Sequence, residues 1–335
     1  MSLRSLADAA GVRVGTAVTA SPLRSEPRYR RTLVTEFNSV TAENEMKWER
    51  LHPDPDRWTT DDADLIATTA HDHGMDVRGH TLFWPHLATP DWVTQCTTRT
   101  DMLTAVADHC RGAFTRYGDT VARWDVINEP MHWLEGRLAD QSWLSVIGPA
   151  WPLDVFRVAA ETAAELDAAP ELWLNVTHAD VLSDKQALCI ELAQQLLAAG
   201  LPLHGIGLQT HCLVPDFIPE LPTPEHLAAV VRSVTSLGIE AAITEMDMLA
   251  DPSPDGLDEQ GTHYRELVAA ALENPRLTEV TFWGFTDAHT WITEHFGQRA
   301  PLLFDEHYQP KPAYEGVADA LRHRASLVAT EETAT

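Results

Sequence analysis

Eight short segments rich in β-branched, apolar and aromatic residues recur along this chain, separated by stretches whose apolar residues repeat every three to four positions. The strand-like segments fall at residues 12–18, 37–43, 76–84, 123–128, 171–176, 205–211, 241–246 and 280–285. The helix-like stretches include residues 61–73, 101–117, 153–166, 184–199, 224–237 and 259–272, and a last one runs from Pro312 to about His323. Eightfold alternation of this kind predicts an α/β protein with the (β/α)8 TIM-barrel fold. The 335 residues suit one such barrel, which typically takes about 250 and more with insertions. No Pro/Ser/Gly-rich linker divides the chain, so residues 1–325 are expected to form a single catalytic domain, followed by a flexible polar tail at 326–335.

Two of the strand-like segments run into a carboxylate: Trp124-Asp-Val-Ile-Asn128-Glu129 and Ala242-Ile-Thr-Glu245-Met-Asp247. A TIM barrel carries its catalytic groups at the carboxyl ends of its strands, and two carboxyl groups facing one cavity are what glycosidic bond cleavage requires. One must hold a proton for the leaving oxygen while the other stays ionised toward the sugar carbon. Asn128 adds an amide that can donate to a sugar hydroxyl beside the reacting carbon. A single strand-end glutamate is ordinarily just a solvated acid. Two at matching positions, one preceded by Asn128, point to a paired role. Other strand ends add Glu43, Asn44, Lys47, His80, Trp84, Gln209, His211, Trp283 and Trp291. Hydroxyl-binding groups with indole faces suit a sugar chain, although each tryptophan taken singly fits core packing equally well.

Composition narrows the partners. Lys and Arg number 24 against 50 Asp and Glu, so the formal charge is 24 − 50 = −26, which repels nucleic acid and anionic membrane surfaces. No apolar run approaches the roughly 20 residues of a membrane span, and the first residues lack the charged start and apolar core of a secretory signal. The expectation is therefore no nucleic-acid partner, no membrane and a monomer, with the compartment open. Cys96, Cys110, Cys189 and Cys212 form no Cys-x-x-Cys pair and are expected to be mostly free, buried thiols. Among the histidines, His71 and His73 stand two apart on a predicted helix and face different directions, while His178 and Asp180 lack a third spaced ligand. Neither metal nor cofactor is expected.

Taken together, the strand-end motifs resemble glycoside hydrolase family 10, the endo-β-1,4-xylanases. The resemblance is carried by Thr41-Ala-Glu-Asn-Glu-Met-Lys-Trp48, Arg78-Gly-His-Thr-Leu-Phe-Trp84, Trp124-Asp-Val-Ile-Asn-Glu129, Gly205-Ile-Gly-Leu-Gln-Thr-His211, Ile243-Thr-Glu-Met-Asp247, Trp283-Gly-Phe-Thr-Asp287 and Pro301-Leu-Leu-Phe-Asp305 through Lys311-Pro-Ala-Tyr314. It implies a retaining hydrolase of β-1,4-linked xylan or xylo-oligosaccharides. Glu129 would be the acid/base, Glu245 the nucleophile, and Asn128 the ligand of the sugar 2-hydroxyl. His211 would sit beside Glu245, held by Asp247, with Gln209 near the acid/base. Glu43, Asn44, Lys47, His80 and Trp84 would line the two sugar sites on the non-reducing side, which Trp283 and Trp291 would cover.

Two stretches depart from the family's usual pattern. Trp84 is followed by Pro85-His86-Leu87, where many members have His directly after the tryptophan. The fifth strand ends Asn175-Val176-Thr177-His178-Ala179-Asp180, where Asn-Asp-Tyr-Asn is common and contacts sugar beyond the cleavage point. The leaving-group side is therefore where this chain is expected to differ, and short or decorated β-glycosides are the alternative substrates. A non-catalytic glycan-binding barrel is the reading from another class. It would be expected to have lost one of the two acids, and both are present.

Overall fold

The computed structural model describes residues 1–168, 170–213, 221–297 and 299–334. Among the described residues nine strands are found: β1 (Arg13–Val18), β2 (Ser39–Ala42), β3 (Asp76–Gly79), β4 (Val121–Asn128), β5 (Glu171–Val176), β6 (Leu203–Leu208), β7 (His211–Cys212), β8 (Glu240–Met248) and β9 (Leu277–Phe282). Their order in the sheet is β6-β5-β4-β3-β2-β1-β9-β8-β7, with β6 also paired to β8. Helices connect successive long strands, and the fold is the predicted (β/α)8 barrel.

All eight predicted strands are present. The sixth is split in two, because Thr210 takes a left-handed φ of 58° and interrupts the pleat before β7. The helix predicted to start at residue 259 begins earlier, as Pro254–Leu272, since Ser253 caps it by accepting from the Gly256 N–H and Pro254 occupies its first turn. The helix predicted to end near His323 runs on as Pro312–Ala334, so most of the polar tail is helical. That stretch holds Ala, Leu and Glu and no Gly or Pro to stop it.

The chain groups into two compact units, Met1–Val40 with Leu208–Thr335, and Thr41–Gly207. In the first, β1, β8 and β9 are parallel neighbours. Helix Leu3–Ala10 and helix Pro254–Leu272 both lie against helix Pro312–Ala334. A Cβ on Gly316 would collide with the Gly261 backbone, and one on Gly261 with the backbone of Pro312. Glu36 ties both ends of this unit, accepting from the Leu3 N–H and from the Tyr314 hydroxyl, each at 3.0 Å.

In the second unit β3, β4 and β5 run parallel, and the Asn128 position of β4 pairs with Asn175 of β5. Trp124 and Trp173 fill its interior, with the Arg78 guanidinium over the Trp173 ring at 4.8 Å. Trp48 and Trp151 are buried as well, so several of the eleven tryptophans take the packing role.

A ladder of flat rings lies in the same unit. Trp48 stacks on His109 with centroids 4.4 Å apart, and His52 stacks on Trp58 at 4.3 Å. His109 is fully buried with neither ring nitrogen hydrogen-bonded, and burial, aided by His52, holds its pKa well below the ordinary value. Burial also lowers His52, against the opposing pull of its hydrogen bond to the Pro55 carbonyl and of Asp108, Asp54 and Asp56. Both imidazoles therefore bind protons less readily in the fold than in the unfolded chain. Their contribution to stability is complete above the unfolded value of about 6.5 and is lost as pH falls below it. Melting temperature should therefore drop on going from pH 7.5 to 5, and H109F, which keeps a stacked ring, should flatten that dependence. An unchanged slope in calorimetric scans would contradict this account.

Candidate active site

In the Thr41–Gly207 unit the site starts from the β4–β5 pairing. The Asn175 side-chain amide donates to Asn128 Oδ1 at 2.9 Å, which turns the NH2 end of Asn128 away from Asn175. One residue on, the Glu129 N–H donates to the Asn175 carbonyl at 2.8 Å while Glu129 itself takes a left-handed φ of 52°. A non-glycine residue held there costs about 1–3 kcal/mol, a strain that clusters at functional sites. The turn carries the Glu129 side chain off the strand, and its Oε2 accepts from two indoles, Trp84 Nε1 at 3.0 Å and Trp133 Nε1 at 2.7 Å.

Trp84 connects this acid to the end of β2. The Lys47 ammonium lies 4.9 Å from the centre of the Trp84 ring and donates to Asn44 Oδ1 at 3.0 Å. Glu43, next to Asn44, is half-buried. His80 Nδ1 lies 2.9 Å from Asp125 Oδ2, and Arg78 donates to both oxygens of the same carboxylate, at 2.5 and 3.2 Å. All three side chains are buried. Burial alone would push the Asp125 carboxyl up, but the Arg78 charge and the His80 contact outweigh it and hold Asp125 below its ordinary value.

The other unit presents the second acid. Glu245 lies within β8, its N–H donating to the Gln209 carbonyl at 3.1 Å. Asp247 follows two positions later, so strand alternation puts both carboxylates on one face. His211, in register with Asp247, spans the pair, with Nδ1 2.8 Å from Asp247 Oδ1 and Nε2 3.1 Å from Glu245 Oε2. Trp291 Nε1 donates to the other Asp247 oxygen at 2.8 Å, and Trp283 meets the His211 ring edge-on at 6.4 Å. Burial pulls the imidazole toward neutrality, yet the charges and hydrogen bonds of Asp247 and Glu245 prevail and raise its pKa well above the ordinary value. The two carboxylates thus favour the protonated form of His211.

Within each unit, therefore, the candidates meet as networks: Asn44, Lys47, Trp84 and Glu129 in one; Glu245, His211, Asp247 and Trp291 in the other. Asp287 of the eighth motif serves as a brace, paired with buried Lys311 at 2.8 Å, and burial raises its carboxyl to about 6. The sequence reading missed Asp125, which orients His80, and Trp133, the second indole on Glu129. A tryptophan four residues after the acid was the available signal for the latter. Among the described residues no three His, Cys, Asp or Glu side chains are arranged to hold a metal ion, and the four cysteines are free, three of them buried.

Residues 2–320 match the profile described as Glycosyl hydrolase family 10. The chain is 34% identical, over 91% of its length, to exoglucanase XynX of Acetivibrio thermocellus and to endo-1,4-beta-xylanase A of Thermoanaerobacterium saccharolyticum, but spans only 28% and 26% of those proteins. To the endo-1,4-beta-xylanase of Geobacillus stearothermophilus it is 33% identical, with 90% of this chain and 93% of that protein covered. The crystal structure of native xylanase 10B from Thermotoga maritima superposes with a TM-score of 0.86 at 29% identity, covering 97% of this chain and 99% of that one.

Because the folded pKa of His211 is raised, its ion-pair contribution to stability is complete below about pH 6.5 and drains away as pH climbs through the folded value. In D247N the larger electrostatic support is gone. Side-chain nitrogen NMR should find His211 protonated well above pH 6.5 in the wild type and titrating at lower pH in the variant. Coincident titration curves would refute the assigned cause.

Proposed function

The chain belongs to glycosyl hydrolase family 10, and on that premise we propose that it is a retaining endo-β-1,4-glycosidase of the xylanase type, acting on xylan or xylo-oligosaccharides. The observation that carries the proposal is the contact of Glu245 with the His211 imidazole, itself anchored by Asp247. A carboxylate in that setting stays ionised and aimed, as a nucleophile must. Glu129, with one oxygen between two indole N–H groups and its backbone pinned to β5, is the group proposed to carry the mobile proton.

The reaction then runs in two displacements. Glu245 attacks the anomeric carbon as Glu129 gives its proton to the departing glycosidic oxygen, leaving a glycosyl ester on Glu245. Glu129, now a carboxylate, takes a proton from water as that water attacks the same carbon. Glu245 leaves, and the product keeps the original anomeric configuration. Asn128 is proposed to donate to the 2-hydroxyl, a bond that strengthens as positive charge builds on the ring. Asn44, Lys47, Glu43, His80 and Trp84 are proposed to hold the sugars on the non-reducing side, with Trp283 and Trp291 covering them and Gln209 near the acid/base. Related structures titled as complexes with xylotriose and xylotetraose, at 29% and 31% identity, support this substrate class.

Replacing Glu245 by alanine should cut reducing-sugar release from soluble xylan on the order of 10⁴-fold or more, and proton NMR of early wild-type products should find the β-anomer first. Undiminished release by E245A, or first appearance of the α-anomer, would overturn the proposal. N128A should lower kcat about 100-fold, the size expected for an interaction realised mainly in the transition state. Rates on polymer against short oligomers separate xylan from the alternative of short or decorated substrates.

A further inference from the structure

Immediately after Glu129 the chain doubles back as a hairpin. Met131 bridges Leu138, and the His132 N–H donates to the Arg137 carbonyl at 2.9 Å. Trp133 stands on this hairpin with 46% of its surface exposed. An indole left that open would ordinarily be mobile, but this one is fixed at both ends. Its Nε1 donates to Glu129 Oε2 at 2.7 Å, while its carbonyl accepts from Lys185 Nζ at 2.8 Å and faces His178 Nδ1 at 3.0 Å. Lys185 is fully buried, and burial draws its amine down to about 8 against the opposing pull of Glu129, Asp180 and Asp184. His86, which donates from Nε2 to the Met131 carbonyl and accepts at Nδ1 from the Gln141 amide, lies 5.4 Å from the indole ring. A rigid, exposed aromatic face beside an acid is a ligand-binding surface.

Its side of the acid identifies the ligand. β3 and β5 flank β4 on opposite edges. Trp84 reaches Glu129 from the end of β3, together with Lys47 and Asn44; Trp133 is held by groups that follow β5. On the reading given under Proposed function, the Trp84 side receives the sugars retained by the enzyme, so the Trp133 side receives those that depart. With strand five ending in Thr177-His178, where a tyrosine is common in the family, the indole face on this side comes from the hairpin. We infer that Trp133 is the platform for the leaving-group sugar and a positioning residue for Glu129, holding the acid's carboxyl against the oxygen it protonates.

Two substrates distinguish this role from a merely structural one. Xylotetraose departs as a sugar that needs both a platform and a proton; β-xylobiosyl fluoride departs as fluoride, with no ring to seat and little need of an acid. For W133A, kcat/KM on xylotetraose should fall about 10- to 100-fold, while the loss on the fluoride stays below about 5-fold, which also certifies that the variant is folded. W133F keeps the ring and loses the N–H, so its KM for xylotetraose should stay near the wild-type value while kcat falls. Equal losses on both substrates, or no loss on xylotetraose, would overturn the inference. Wild-type inactivity on both substrates would instead overturn the family-based reading and this inference with it.

Discussion

A charge withdrawn from water survives only where partners meet it within hydrogen-bonding distance, and the strand ends of this protein are organised around that requirement. Asp247 and Glu245 share His211; Asp125 takes Arg78 and His80; Asp287 takes Lys311. Each buried acid fixes its partner in place. Removing one member strands a buried charge, so these sets behave as units.

Different partners give the carboxylates different characters. Glu245 meets the His211 imidazole, whereas Glu129 meets two indole donors, with buried Lys185 within electrostatic reach. At Asp287 burial outweighs the Lys311 charge and a backbone N–H and raises the carboxyl to about 6. The chemistry assigned to two identical side chains thus depends on what surrounds each, not on residue type.

The strands were legible because buried parallel strands are written as short β-branched and aromatic runs, and the candidate residues because they cluster just beyond those runs. Helix ends were less so. Pro254 and Gly256 look like breakers until Ser253 is seen as the cap, and helix Pro27–Glu36 buries only Tyr29 and Leu33, too few to mark a period. Trp133 escaped for another reason. Its meaning depends on a hairpin and on partners 45 and 52 positions away, His178 and Lys185, which no local pattern records. Asp125 was hidden inside an apolar strand, where only its buried contacts to Arg78 and His80 give it a role.

One unit is assembled from both ends of the chain, whereas Thr41–Gly207 is continuous. During synthesis the continuous segment has all of its own strands once residue 207 clears the ribosome. The opening helix Leu3–Ala10 has no such luck, for the surface it lies against belongs to helix Pro312–Ala334. At the usual pace of translation it waits on the order of tens of seconds for that counterpart. Until then the face of that helix carrying Leu3, Leu6, Ala7 and Ala10 lacks the cover that the far end of the chain supplies.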